Sequence, residues 1–295
     1  RQIGAQAAEL TGQIYQAAGF EFNINSTKQL GEVLFDKLGL SSGKKNKTGY
    51  STGAEVLEQL RGEHPVIDGV LQYRTLSKLK STYCDGLIAE IGPDGRIHTT
   101  FRQTETRTGR ISSIEPNLQN IPIRSDLGRE LRRFFIAGEG KLLVDADYSQ
   151  IELRVLAHIS GDETMIKAFN ENIDIHTVTA SQVFNIPLEL VTPLMRNRAK
   201  AVNFGIVYGI GAFSLAKDIA VSRKEADTYI KEYLSHYKGV ADYMKRIVTQ
   251  AKENGFVETL FGRRRYLPEL SSSNAALRAF GERVALNMPI QGTAA

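Results

Sequence analysis

Apolar positions in the first 80 residues recur at helical intervals, predicting a first helix through Ala18 and others over 26–38, 51–61 and 65–80. Between the second and third, LSSGKKNKTGYSTG is small, polar and basic, and reads as a tip projecting from a helical hairpin. The period then changes. GLIAEIGPDGRIHTTFRQT reads as two extended runs around Pro93, Asp94 and Gly95, residues suited to a hairpin turn. The irregular stretch TRTGRISSIEPNLQNIPIR leads to KLLVDADY, whose apolar run Leu142, Leu143, Val144 predicts a buried strand. Nearly everything after it is helical, apart from a short hairpin or loop in FVETLFGRRRYLPEL. No internal repeat and no low-complexity segment interrupts this order. The fold class is α+β.

With 295 residues and 42% hydrophobic content, the chain can bury one large core or two to three smaller ones. Its 37 Lys plus Arg against 33 Asp plus Glu are a modest excess, yet they gather in five clusters. These are Lys44, Lys45 and Lys47; Arg74, Lys78 and Lys80; Arg129, Arg132 and Arg133; Arg196, Arg198 and Lys200; and Arg263 to Arg265. One such run is ordinarily a solvated face, whereas five together suit a polyanionic partner. The lone Cys84 excludes an internal disulfide framework and a cysteine-rich zinc site, and a reducing, cytoplasmic setting is the default expectation. No apolar stretch approaches the roughly 20 residues of a membrane span. The chain starts without Met in a helical pattern and stops in another, NMPIQGTAA, so both ends read as boundaries of a fragment.

Two constellations carry candidate chemistry. In DADYSQIELR, strand alternation puts Asp145 and Asp147 on one face, about 7 Å apart. Carboxylates closing an apolar strand need a positive partner, and a hard cation such as Mg²⁺ with substrate phosphates supplies one. Ser149 and Glu152 also fit a capping box, and on the residues alone either reading is open. The second constellation is VTPLMRNRAKAVNFGIVYGIG, in which Thr192 and Pro193 start a helix and Gly209 and Gly211 stop it. Arg196, Lys200, Phe204 and Tyr208 recur every fourth residue, forming a slowly winding stripe of two cations and two aromatic rings. That order suits phosphates near the positive helix N-terminus and rings against sugar and base. A basic surface above an aromatic core contact is the bland alternative.

TGRISSIEPNLQNIPIR, DYSQIELR, RNRAKAVNFGIVYG and RVALNMPIQGTAA, which follow one another in this order along the chain, resemble the polymerase domain of the family A DNA polymerases. The resemblance implies a right-hand architecture: a helical thumb over 1–90, an antiparallel-sheet palm over 91–158 with 284–295 as a palm helix, and helical fingers over 159–283. It implies that Asp147 and the Tyr148 backbone carbonyl hold metal, in a site for two Mg²⁺ ions. Glu152 resembles the residue that blocks a ribose 2′-hydroxyl, and Gln150 sits beside the nucleotide. Arg196, Lys200 and His176 match triphosphate contacts, with Lys200 also able to protonate the leaving group. Phe204 and Tyr208 match the rings at the incoming sugar and the template. Arg110, Asn117, Gln119, Asn120, Arg283, Asn287 and Gln291 match minor-groove and primer-template contacts, where neutral amide and guanidinium donors meet acceptors common to every base pair. Arg74, Lys78, Lys44, Lys45 and Lys47 resemble phosphate contacts, which make binding salt-dependent. Arg263 to Arg265 keep a structural or solvated reading.

The implied partners are primer-template DNA and a deoxynucleoside triphosphate, with no membrane. Family members possess a second palm carboxylate in a His-Asp-Glu hairpin after QGTAA; no His-Asp pair occurs in this sequence, so the palm is expected to be incomplete. Asp145 is a poor substitute because it projects from the same strand as Asp147. A C-terminal palm fragment or a second chain is the expected complement. A single-subunit RNA polymerase shares several features, against which Glu152 as a bulky sugar gate argues. A non-catalytic primer-template and nucleotide-binding fragment is the other alternative. A dinucleotide-binding enzyme fits poorly, since GIVYGIG follows a helix rather than a strand.

Overall fold

A computed structural model describes residues 2–41, 45–46 (backbone), 49–123 and 126–295. Lys44, Lys47 and the Lys45 side chain lie outside the described residues. The chain divides into two compact units, one made of 1–101 and 113–143, the other of 102–112 and 144–295.

In the first unit α1 (Gln2–Ala18) packs along α4 (Pro65–Lys78). The approach is close because residue 69 is glycine: a Cβ there would lie 2.8 Å from Ile14 Cγ1. Ser26 caps α2 (Thr27–Gly31), which runs into a π-helical segment, Glu32–Lys37. A small ribbon of β1 (Lys45–Asn46) and β2 (Gly49–Tyr50) precedes α3 (Ala54–Gln59). Leu30, Leu34, Leu57, Ile67 and Val70 close the core around Ile14. His64 caps α4, which passes without a break through a second π-helical segment, Leu79–Asp85, into α5 (Gly86–Ala89). The expectation of an extended run over GLIAEI is therefore corrected. Helical hydrogen bonding carries on through Ala89, and the hairpin around Pro93–Gly95 shrinks to an Ile91–Ile97 bridge and a turn in which Gly92 N donates to the Arg96 carbonyl at 2.8 Å. The chain passes between units at β3 (Thr100–Arg102) and β4 (Ser112–Ile114), and α6 (Asp126–Arg132) follows.

The expected strand KLLVDADY is also corrected. A strand exists through its ladder, and among the described residues nothing pairs with 141–148. Leu142, Leu143 and Val144 are 89%, 68% and 89% exposed.

The second unit is helical: α7 (Ile151–Ser160), α8 (Glu163–Asn170), α9 (Ile175–Phe184), α10 (Pro193–Val207), α11 (Ala212–Asp218), α12 (Arg223–His236) and α13 (Lys238–Asn254). Leu153, Leu156, Met165, Ile175, Leu215 and Tyr233 fill its main core. Buried Asp162 fastens two helix starts together, accepting from Met165 N at 3.1 Å and from Gly239 N at 2.9 Å. The expected hairpin in FVETLFGRRRYLPEL forms: β5 (Phe256–Glu258) and β6 (Arg264–Tyr266) pair antiparallel with Val257 opposite Arg265. Asn274 then caps α14 (Ala275–Ala294). Among the described residues no helix is long and apolar enough to cross a membrane.

Candidate active site

The stripe helix α10 begins as its sequence dictates, with Thr192 accepting from Met195 N at 3.3 Å and Pro193 in the first turn. Tyr208 is the C-cap and Gly209 takes the left-handed conformation (φ +64°) that ends the helix. Arg196 is clamped: its Nε donates to Asp174 Oδ2 at 2.5 Å and its Nη2 to Oδ1 at 3.1 Å. Asp174 is the N-cap of α9 and also accepts from the Thr177 hydroxyl at 2.5 Å. Partial burial raises the Asp174 pKa, but bonds from Arg196 and Thr177 outweigh it and leave the carboxyl at about 2. Sequence reading missed Asp174; its only signal was an N-cap Asp before the IHT turn. Lys200 is exposed and makes no ion pair with another described residue. Phe204 packs on the buried His176, ring centroids 5.8 Å apart.

The far end of the stripe meets residues that the sequence assigned to different tasks. Tyr208 OH donates to Glu152 Oε2 at 2.9 Å, and Arg110 Nη2 donates to Oε1 at 2.5 Å. Gln291, with its amide oxygen turned toward Arg110, accepts from Nη2 and Nη1 at 3.2 and 3.3 Å. Burial, and then the Glu152 bond, raise the Tyr208 hydroxyl pKa. Candidate sugar gate, template ring and two duplex contacts thus share one hydrogen-bonded cluster. Glu152 is therefore no capping-box member. Gln150, at φ +56°, is the N-cap of α7 without a side-chain bond, so Ser149 is displaced from the capping position. Gln150 Oε1 is buried without a hydrogen-bond partner among the described residues.

An open groove of about 690 Å³ runs beside this cluster, lined by Phe204, Tyr208, Gly209, Ser214, Arg283 and Leu286 among others. Arg283, Asn287 and Gln291 rise along one face of α14 at intervals of four, and Asn287 Nδ2 is buried with no hydrogen-bond partner among the described residues. Asp145, Asp147 and Tyr148 are exposed, and neither acid bonds to another described residue. Asp147 is five residues before Glu152, so chain length alone keeps their Cα atoms within about 17 Å. These oxygen donors fit a hard cation such as Mg²⁺. Among the described residues no group of three or more His, Cys, Asp or Glu side chains is poised around a metal position.

In the first unit, a groove of about 740 Å³ brings Lys78 together with Gln119 and Asn120. All three are exposed, as is Asn117, whose Oδ1 accepts from Gln119 N at 2.9 Å. Arg74 is engaged elsewhere: its guanidinium donates to the Thr52 backbone carbonyl and, at 3.4 Å, to Thr52 Oγ1, and burial lowers its pKa. Arg264 donates to Glu258 at 2.5 Å and lies 4.7 Å over the Phe256 ring, in line with the structural reading of that cluster.

The profile of DNA polymerase family A matches residues 1–295. The chain belongs to this family. The DNA polymerase I of Caldicellulosiruptor bescii is 53% identical over 296 residues, 100% of this chain and 35% of that relative. The Bacillus subtilis DNA polymerase I is 53% identical over 100% of this chain and 34% of its own length. The thermostable DNA polymerase I of Thermus aquaticus is 52% identical over 100% of this chain and 36% of its own. The chain therefore spans about a third of the curated family A relatives it matches. Among solved structures, the POL domain of Pol1 from M. smegmatis, in complex with DNA primer-template and dNTP, superposes with a TM-score of 0.90. It is 45% identical and covers 99% of this chain and 52% of that one.

Proposed function

We propose that this chain takes part in template-directed DNA synthesis, joining a deoxynucleotide to a primer 3′-hydroxyl. The observation that carries the reading is the Arg110–Glu152–Tyr208–Gln291 cluster at the end of α10. It joins Arg110 and Gln291, read here as duplex contacts, to Glu152, read as the sugar gate, and to Tyr208 on the helix that bears Arg196 and Lys200. That the M. smegmatis neighbour was solved with primer-template and dNTP supports the same assignment.

In this reading the primer oxygen attacks the α-phosphorus in line while the bond to pyrophosphate breaks. Lys200, uncommitted within the described residues, holds the triphosphate and passes a proton to the departing pyrophosphate. Arg196 keeps its Nη1 protons for phosphate while Asp174 fixes its fork. Phe204 presents its ring to the incoming sugar, and Glu152, braced from two sides, excludes a 2′-hydroxyl. Gln150 lies beside the nucleotide. Arg283, Asn287, Arg110 and Gln291, with Asn117, Gln119 and Asn120, check minor-groove shape, and Lys78 and Arg74 serve the backbone. Asp147 and the Tyr148 carbonyl would hold divalent metal, which supplies charge neutralisation and a more acidic 3′-hydroxyl. The thumb, palm and fingers then correspond to 1–90, 91–158 with 284–295, and 159–283. The second palm carboxylate comes from a C-terminal segment outside these 295 residues.

Primer extension tests this. The isolated chain is expected to bind primer-template without extending it. Addition of the C-terminal palm segment of the Bacillus subtilis relative should restore Mg²⁺-dependent use of deoxynucleotides, and the Asp147→Ala chain should stay inactive. Preferential use of ribonucleotides, or restored extension by Asp147→Ala, would overturn the reading.

A further inference from the structure

Asp147 and Tyr148 stand on a stretch with little to hold it, since no strand ladder reaches 141–148 among the described residues. One described side chain hydrogen-bonds to residues 144–149, and it is that of Arg154, whose Nε donates to the Ser149 carbonyl at 3.0 Å. Helical side chains lean toward the helix N-terminus, so an arginine in the first turns of α7 reaches back to the residues that enter it. The same guanidinium lies 4.7 Å over the Phe169 ring on α8. A groove of about 250 Å³ between the two helices is lined by both residues. Arg154 is exposed, and an exposed arginine is ordinarily a solvated one; this one is engaged on its edge and on its flat face.

What the bond holds is a costly turn. Gln150 enters α7 at φ +56° and ψ +37°, the left-handed conformation that a residue with a Cβ rarely adopts. Its own side chain gives no capping bond, while its carbonyl accepts from Leu153 N at 3.0 Å and Arg154 N at 3.1 Å. The Ser149 carbonyl belongs to the rigid peptide unit that precedes Gln150, so fixing that oxygen fixes the plane from which the left-handed turn starts.

We infer that Arg154, stacked on Phe169, is a positioning residue that holds the Ser149 peptide at the left-handed entry to α7 and thereby sets the direction of Asp147 and the Tyr148 carbonyl. That these two serve a metal rests on the functional reading above; the tie itself does not. Successive helical residues turn by about 100°, which puts Arg154 across α7 from Glu152. The start of α7 is thus gripped on both sides, Glu152 by Arg110 and Tyr208, and Arg154 by Ser149 and Phe169. A planar guanidinium can stack on a ring while an N–H in its plane donates to a carbonyl; an ammonium lacks that flat geometry.

Chymotrypsin digestion of the nucleotide-free chain, with cut sites read by mass spectrometry, tests the tie. A protease needs extended chain on both sides of the bond it cuts. After Tyr148 that chain includes Ser149 and the start of α7, whereas after Leu142 or Leu143 it stops short of them. Arg154→Ala and Phe169→Leu should speed cutting after Tyr148 several-fold relative to cutting after Leu142 and Leu143, and Arg154→Lys should fall between. An unchanged ratio in Arg154→Ala would overturn the inference. Should that variant unfold, all sites speed up together, and an unchanged ratio in Arg154→Lys overturns it instead. In primer extension with the C-terminal palm segment added, Arg154→Ala should raise the Mg²⁺ concentration for half-maximal rate several-fold at unchanged primer-template affinity, with partial recovery in Arg154→Lys. An unchanged Mg²⁺ requirement would overturn the positioning role. Failure of the unmodified mixture to extend would strike the functional reading, while digestion still decides the tie.

Discussion

The Arg110–Glu152 pair makes a prediction about which partner is costlier to lose. The Glu152 side chain is 9% exposed and that of Arg110 is 52% exposed, at 2.5 Å separation. Arg110→Met strands a buried carboxylate with Tyr208 as its remaining donor. Glu152→Gln leaves a half-exposed guanidinium that turns to water, while Tyr208 can still donate to the amide oxygen. A lost hydrogen bond to a charged group is worth roughly 1.5–3 kcal/mol, and an orphaned buried charge roughly 3–5 kcal/mol. With the edge of the pair open to solvent, Arg110→Met should cost about 2–3 kcal/mol and Glu152→Gln about 1 kcal/mol. In the double variant no stranded charge remains, so its cost should fall below that of Arg110→Met alone, to about 1–2 kcal/mol. Urea unfolding followed by circular dichroism, compared through midpoints at constant m, reads these differences. Equal single costs, or a double variant that simply adds them, would refute the reasoning.

Three other expectations follow from the same geometry. The His176 value of about 4 lies below the ordinary 6.5, so its contribution to stability is fully present above pH 6.5 and is lost as pH falls toward 4. The loss has a ceiling of about 3 kcal/mol; His176→Gln should flatten that limb of the midpoint-against-pH curve, while loss attached to Asp174 begins only below 3.8. Gly205→Ala would set a Cβ 2.4 Å from Ile210 Cγ2. A net cost of roughly 1–3 kcal/mol should appear in thermal unfolding despite the better helix propensity of alanine, with relief in Gly205→Ala/Ile210→Ala. Lys78→Ala should weaken primer-template binding evenly across sequences and reduce the slope of log affinity against log salt by about 1, measured by fluorescence anisotropy.

What could be read in advance was local. The start of α10 was legible because Thr192 and Pro193 satisfy the first turn by themselves, and the β5–β6 hairpin because Gly262 lies between its runs with φ at +80°. The Leu142–Val144 strand was misread because a strand depends on a neighbour that no periodicity encodes. The capping box at Ser149 failed for a related reason. Glu152 is drawn to Arg110, 42 residues away, and Tyr208, 56 residues away, and Gln150 takes a left-handed turn instead. Asp174 was missed because its role depends on Arg196, 22 residues downstream. The stripe, by contrast, was legible as a pattern along α10, though nothing in it told that one of its two cations is already held by Asp174.

The bare Leu142–Val144 ribbon has a practical consequence for handling the protein. Side chains that remain in water after folding withdraw almost no apolar area, so they contribute little to holding the native state together. Their cost falls on the solution instead: three adjoining aliphatic groups with unladdered peptide units invite other chains to dock there. Colloidal behaviour at high protein concentration is thus decoupled from folding, and a serine or threonine in that ribbon would improve the first while leaving the second almost untouched.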